Sequence, residues 1–581
     1  MTRLFNDPTA FADEMIDGFV AANRLQVRRV TGGVVRSTRS TPDTVAIVVG
    51  GGSGHYPAFG GLVGQGLAHG AAMGNLFASP SAAQVHSVAT AANNGGGVLL
   101  SYGNYAGDVL HFTQAQEKLR AEGVDCRTVA VTDDIASAVI GEKAKRRGIA
   151  GDLTVFKTAA AASEAGYSID DVERVALLAN ERTRTLGVAF TGCTLPGADT
   201  PLFTVPEGRM AVGMGIHGEP GLREADIPTA DELAELFVSE LLAELPDGVD
   251  EARGQKVGVI LNGLGSVKYE ELFVVYKRVA ELLDEAGLTV IDPEVGELVT
   301  SFDMAGASLT LFWLDDELET FWRAAADTPA YRKGSVAAVE QMDASDMHDS
   351  VVTDVEITPG SAESQQAAVA ALAAVEAVLA VIEEHADELG RIDAVAGDGD
   401  HGVGMQRGAR AAAAAAREAK SAGAGVETLL VSAADAWADR AGGTSGALWG
   451  VMLRALAGEV GDTDAPTAAS VSAGVTAARV GIQSFGKAEV GDKTMVDAIV
   501  PFTESLASEV AAGNGLSAAW STASDVATEA ARATAELLPR MGRARPHAEK
   551  SLGTPDAGAH SFALIVQAVA VVFAAEHGED K

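Results

Sequence analysis

The sequence predicts a multidomain protein with an α/β first half and an all-α second half. Three observations carry this. The chain is 581 residues long, enough for several domains of ~150 residues each. Up to about residue 335, short Val/Ile/Leu-rich runs alternate with helical stretches. After residue 365 those runs stop and Ala-rich segments take over.

The strand-like runs are residues 46–50, 97–101, 127–132, 187–192 and 256–263, each ending at a Gly or Asp turn. They lack polar alternation, which predicts burial on both faces and hence α/β layers. A helical stretch near 166–185 divides this half into two α/β subdomains, 1–185 and 186–335. Between 336 and 364 apolar periodicity gives way to small and acidic residues, so this reads as a linker. Eight Ala-rich segments follow, at 366–389, 408–420, 427–440, 446–458, 466–482, 496–511, 518–537 and 561–576. They make 365–581 an all-α domain.

Composition narrows the function. Hydrophobic residues are 47% and charged residues 21%, which excludes a mainly disordered chain. The net charge of −37 argues against nucleic acid and anionic membrane surfaces as partners. A nucleotide stays possible, because a divalent metal offsets phosphate charge locally. Cys126 and Cys193 are the two cysteines, so no disulfide framework or cysteine zinc site is expected. The N-terminal residues carry acids where a signal peptide has its apolar core. The apolar stretch 561–575 contains Gln567 and reads as a buried helix too short to span a bilayer. A soluble cytoplasmic protein is the expectation.

In the second half, Asp393, Asp398 and Asp400 lie between two helical segments, separated by small residues and followed by His401. Their five- and two-residue spacing does not fit one helix face. Glycines at 397, 399 and 402 let the turn tighten so that three carboxylates converge, and hard oxygens suit magnesium better than zinc. An acidic capping loop is the alternative. Gly442–Gly446 enters a helix, where free N–H groups bind phosphate, though such turns also serve only as caps. Gly486 to Met495 approaches a Walker A pattern but has one residue too many and no strand before it. Gly542-Arg543 and Asp556-Ala557-Gly558 add a cation and another turn. Together these glycine loops form a candidate nucleotide site at one end of a helical domain.

In the first half, Gly50-Gly51-Gly52-Ser53-Gly54-His55 follows a strand directly, and so does Gly103-Asn104-Tyr105-Ala106-Gly107-Asp108. In open α/β sheets, loops at strand C-termini line the ligand crevice. His55 readily exchanges protons there, and Asp108 is either a helix N-cap or its partner as a base. His217 lies in Gly213-Met-Gly-Ile-His-Gly-Glu-Pro-Gly221, an accessible histidine in a stiff turn. His69, His86, His111, His547 and His560 read as ordinary hydrogen-bonded histidines.

Taken in order, GGGSGH, GNYAGD, GMGIHGEPG, NGLG, GDGDHG, GGTSGA, GDKTM and DAG resemble the fused dihydroxyacetone kinase family over nearly the whole chain. The resemblance implies an ATP-dependent kinase of short-chain ketoses, with an eight-helix barrel as its ATP half. It implies that His217 bonds the substrate carbonyl as a hemiaminal, that Asp108 takes the hydroxyl proton and that His55 hydrogen-bonds the reacting end. Gly52, Ser53, Gly54 and His55 match the substrate loop. Asp393, Asp398 and Asp400 match ligands of two Mg2+ ions. His401, Gly402, Val403, Gly404, Ser445, Gly446, Gly486, Met495, Arg543, Asp556, Ala557 and Gly558 match ATP contacts. A homodimer is implied as well.

Two departures bear on substrate. Tyr56 replaces the family's usual Glu after GGGSGH, and Gly103 stands where a substrate-contacting Lys is common. Loss of the long cation is expected to leave room for a fourth carbon. With GGGSGHYPAF and GNYAGDV, the chain looks like the erythrulose branch, D-erythrulose phosphorylated at its terminal hydroxyl being the expected substrate and dihydroxyacetone the alternative. A non-catalytic sugar sensor, a subunit fed by a phosphotransferase relay and a nucleotide-cyclising lyase rank lower.

Overall fold

Two six-stranded sheets organise the first part of the chain in a computed structural model that describes residues 4–198, 200–342, 357, 359–395, 397, 399, 401–540 and 550–576. The chain divides into two units, Met1–Val352 and Thr353–Lys581.

The first sheet holds β1 (Val27–Val30), β2 (Gly33–Arg36), β3 (Ala46–Ser53), β4 (Gly70–Leu76), β5 (Val98–Gly103) and β6 (Cys126–Val131), in the order β1-β2-β4-β3-β5-β6. β4, β3, β5 and β6 run parallel, and β1–β2 is an antiparallel hairpin at the edge. Every residue of β3 is buried. After α1 (Phe11–Ala22), α2 (Ala82–Ala92) and α3 (Ala106–Ala121) pack on the face holding Ala46 and Val48. α4 (Asp152–Glu164) and α5 (Ile169–Glu181) pack on the face holding Ile47 and Val49. Apolar side chains are needed on both faces, which is why the run does not alternate.

The second sheet contains β7 (Thr183–Ala189), β8 (Arg209–Val212), β9 (Arg223–Asp226), β10 (Lys256–Gly263), β11 (Thr289–Gly296) and β12 (Gly306–Leu314). Its order is β11-β10-β12-β7-β8-β9, with only β10–β11 parallel. α6 (Ala230–Leu242) and α7 (Tyr269–Glu285) cover one face through Phe237 and Val279. The other face sends Ile260 and Phe312 into the core that contains Phe156 of α4 and Trp322 of α8 (Asp316–Arg323). This shared core brings loops of the two sheets side by side.

In the second unit each Ala-rich segment is a helix: α9 (Ala362–Asp393), α10 (His401–Ser421), α11 (Val426–Ala441), α12 (Gly443–Val460), α13 (Ala468–Gly486), α14 (Val496–Ala511), α15 (Leu516–Ala533) and α16 (Ala557–Glu576). Each packs on the next, and α16 packs back on α9. The buried residues Ala368, Val375, Ile382 and Leu389 recur every seven positions along α9, so it offers one stripe inward. Short connections from α9 to α15 make those helices alternate in direction. The start of α16, reached by a longer connection, lies against Met495 just ahead of α14, so the starts of α10, α12, α14 and α16 share one end of the unit. The interior holds an apolar cavity of about 870 Å3, lined by Val375, Trp437, Leu453, Phe502, Trp520 and Phe562 among others.

The apolar stretch 561–575 needs a correction. Its helix starts earlier, at Ala557, and is 20 residues long. By length and composition alone it and α9 could each cross a membrane. Here Ala559, Phe562 and Val566 of α16 lie in the helical core.

Candidate functional site

The loops after β3 and β5 meet the loop between β8 and β9. Gly54, with φ +108°, turns the chain out of β3 and delivers His55. The His55 ring lies with Nε2 3.0 Å from Nε2 of His217, which arrives from the other sheet. His55 Nδ1 is 2.8 Å from the Thr300 carbonyl. A carbonyl only accepts, so Nδ1 carries the proton and Nε2 presents a lone pair. Burial is the main reason that His55 is held down to about 3, with the neighbouring His217 adding to it. It is therefore uncharged at neutral pH.

His217 is held from its other side. Glu219 accepts from the His217 amide at 3.0 Å through one carboxylate oxygen, and the other oxygen lies 3.2 Å from Nδ1. Glu219 is in turn 3.6 Å from Arg147, which pairs with Asp134 at 2.7 Å and donates to the Gly213 carbonyl. A carboxylate on Nδ1 favours the tautomer with the proton there and the lone pair on Nε2, so the two Nε2 lone pairs face each other with no hydrogen bond between them and are poised to engage a guest.

Aromatic rings wall this pair. Phe77 stacks on His55 at 4.8 Å and 10°, and Tyr105 meets His217 edge-on at 4.7 Å. Asp108 lies three residues beyond Tyr105, buried in the first turn of α3. The N-cap of that helix is Tyr105, so Asp108, at its third position, is not the N-cap. Ser53 commits its hydroxyl to the Gly74 carbonyl at 2.6 Å. A Cβ on Gly52 would lie 2.8 Å from the Ala78 nitrogen.

Gly103 is closely surrounded at the position a Cβ would take. A Cβ there would stand 3.1 Å from the Gly148 carbonyl, 3.2 Å from the Tyr105 ring and 3.3 Å from Asp152.

In the helical unit, the candidate nucleotide residues sit at the shared end. Asp393 ends α9 and its carboxylate accepts from the His401 amide at 3.4 Å. His401 Nε2 is 3.0 Å from the Ser561 hydroxyl, and burial holds this imidazole below its ordinary range. A Cβ on Gly404 would touch the Ala441 carbonyl, and one on Gly446 the Ala441 side chain, so the starts of α10 and α12 adjoin. Gly402 and Val403 lie in the first turn of α10, Ser445 in that of α12, and Gly486 closes α13. Met495 is buried beside Gly558. Asp556 accepts from the Ala559 amide at 2.7 Å, so it caps α16 ahead of Ala557. Burial, then the charges of Asp497 and Asp393, push Asp556 up to about 7. Among the described residues no group of three or more potential ligands holds a metal geometry. Asp398, Asp400 and Arg543 lie outside the described residues.

Comparison with known proteins meets this geometry. A Dak1 domain matches residues 17–330 and a DAK2 domain matches residues 395–571. The chain belongs to the dihydroxyacetone kinase family. An L-erythrulose kinase of Pectobacterium atrosepticum is 62% identical, covering 98% of this chain and 96% of the relative. A D-erythrulose kinase of Mycolicibacterium smegmatis is 54% identical over 98% of each. Among solved structures, the dihydroxyacetone kinase from C. freundii in complex with AMP-PNP and Mg2+ is 29% identical, covers 98% of this chain and 99% of its own, and has a TM-score of 0.52.

For this member of the dihydroxyacetone kinase family, the structure brings His55 and His217 into contact and gathers Asp393, His401 and Asp556 to Gly558 at one helical end. Glu219, Arg147, Thr300, Phe77 and Tyr105 join the first site without having been singled out from sequence. Glu219 and Tyr105 carried a local signal, the first two residues from His217 in a turn and the second within the loop that leads to Asp108.

Proposed function

We propose that this chain is an ATP-dependent kinase of erythrulose that phosphorylates a terminal hydroxyl. The observation that carries the reading is the facing pair of imidazoles: two Nε2 atoms 3.0 Å apart, with Nδ1 of His217 held by Glu219 and Nδ1 of His55 by Thr300. In the proposed reaction the His217 Nε2 lone pair adds to the ketose carbonyl carbon. The Nδ1 proton of His217 passes to Glu219 and the carbonyl oxygen takes one proton from solvent, so the adduct is a neutral hemiaminal with a hydroxyl. His55, uncharged, accepts a hydrogen bond from the held substrate. Asp108 removes the proton of the terminal hydroxyl, whose oxygen bonds the γ-phosphorus as ADP leaves.

The helical unit is proposed to act as an eight-helix barrel that binds ATP at the end bearing Asp393, His401, Ser445, Gly446 and Asp556. Mg2+, in two ions held by Asp393, Asp398 and Asp400, supplies charge neutralisation of the triphosphate. The C. freundii relative with AMP-PNP and Mg2+ supports this part. A cytoplasmic homodimer completes the proposal.

Erythrulose is preferred over dihydroxyacetone because the erythrulose kinases align over the full chain at 54–62% identity. The test is ADP release with D-erythrulose, L-erythrulose, dihydroxyacetone and glyceraldehyde side by side. Turnover of an erythrulose with kcat/KM above that of dihydroxyacetone is expected, and loss of it in His217→Ala with ATP binding retained. Asp108→Asn should keep ketose binding and stop turnover. Ketose-independent ATP consumption as the sole activity would overturn the reading.

A further inference from the structure

We propose that Phe77 is a positioning residue for this reaction, its ring being pressed on the His55 imidazole to keep that ring oriented and out of water. The inference deepens the proposed kinase reading and rests on it.

The backbone makes the case first. Phe77 follows β4 with φ +51°, the left-handed region that large side chains avoid. Phe302, across the loop, has φ +50°. Both amides grip the strand end that carries His55. Phe77 N–H donates to the Ser53 carbonyl at 2.9 Å, and Phe302 N–H donates to the Gly54 carbonyl at 3.0 Å. Their rings lie 5.5 Å apart and close over Gly54, where a Cβ would come within 2.7 Å of Phe77 and 2.6 Å of Phe302. Glycine or asparagine would take such a backbone at lower cost. Phenylalanine at both positions keeps a ring where one is used.

The ring contacts say what the use is. The Phe77 ring is stacked on His55 with centroids 4.8 Å apart and planes within 10° of parallel, and it meets His217 edge-on at 5.3 Å. It therefore covers a face of one imidazole and steers the other. His55 is only 2% exposed. The titratable groups acting on it are His217, whose field disfavours a proton on His55, and Glu219, whose field favours one. Burial outweighs both. An imidazolium at position 55 would donate from both nitrogens and could not accept from substrate at Nε2. Admitting water removes the burial penalty, so the midpoint of His55 must climb toward the ordinary ~6.5.

The test uses the full-length chain with 13C-labelled histidine, the His55 Cε1 signal being identified by its loss in His55→Gln. Phe77→Gly suits the left-handed backbone and removes the ring. Phe77→Leu keeps apolar bulk without the flat face. In ligand-free wild type, His55 is expected not to titrate above about pH 5. In Phe77→Gly its midpoint should rise by at least about one pH unit and the acid limb of kcat/KM for the ketose should move with it, Phe77→Leu falling between. Titration of wild-type His55 above pH 5 would overturn the proposal without any variant. So would a folded Phe77→Gly with an unmoved midpoint or an unmoved acid limb, or a Phe77→Leu indistinguishable from wild type, which would make the ring a core filler. The ligand-free titration involves no ketose. If no ketose is phosphorylated while that titration behaves as expected, the kinase reading fails and the role of Phe77 at His55 stands.

Discussion

Replacing Glu219 by glutamine isolates what its carboxylate does for His217. One oxygen serves the His217 amide at 3.0 Å, and the other lies 3.2 Å from Nδ1. Glutamine keeps the shape but has one acceptor and one donor. The His217 peptide N–H can only donate, so the amide oxygen stays with it and the NH2 group turns to Nδ1. Nδ1 must then accept, and the ring proton moves to Nε2, which loses its nucleophilic lone pair. Loss of a charge-assisted hydrogen bond alone is worth about 1.5–3 kcal/mol, or roughly 10- to 150-fold. A wrong tautomer in a serine-protease triad costs about 10⁴ in turnover. The expected fall in kcat/KM for erythrulose therefore lies between about 10-fold and 10⁴-fold. A coupled ADP assay measures it, with ATP binding and thermal melting as controls for folding. A value within about twofold of wild type would refute the tautomer argument.

Gly54→Ala puts a methyl group 2.6 Å from the Phe302 ring at a φ of +108°. Strain and overpacking together should cost about 2–5 kcal/mol, read as a lower denaturant midpoint and lost ketose turnover; an unchanged midpoint contradicts this. A side chain at Gly103 would begin 3.2 Å from the Tyr105 ring that meets His217, so Gly103→Lys should lower activity with erythrulose and dihydroxyacetone alike. A gain with dihydroxyacetone would show that the position sets chain length through open space. Asp133 is pushed up to about 6 by burial, although it accepts from the amides of Ile149 and Gly151. The unfolded carboxyl releases its proton near 4, so this group favours folding at acid pH, an advantage lost as pH rises through about 6. Asp133→Asn removes that dependence. Its melting temperature relative to wild type should improve between about pH 4.5 and 7.5, and a constant difference would contradict the assignment.

Local chemistry made part of the site legible. A histidine after a glycine-rich strand end, and another in a glycine-rich turn, are visible in one dimension because the constraint is local. The helical segments were legible for the same reason, since alanine content acts residue by residue. β4 (Gly70–Leu76) was not, because GAAMGNL has neither alternation nor bulk and is a strand only through its neighbours β2 and β3. β12 was passed over although every residue in it is buried. Phe77 and Thr300 reach the histidines, and Arg147 reaches Glu219, from elsewhere in the chain, and nothing at their own positions announces it.

The two imidazoles belong to different sheets, and this has a mechanical consequence. A small guest bonded to one and hydrogen-bonded to the other would act as a rivet across the seam, tightening a joint that otherwise relies on packed side chains. Occupancy should then slow amide exchange in β3 and β8 together, far beyond the few atoms touched, and the joint's stiffness would report whether the pocket is full.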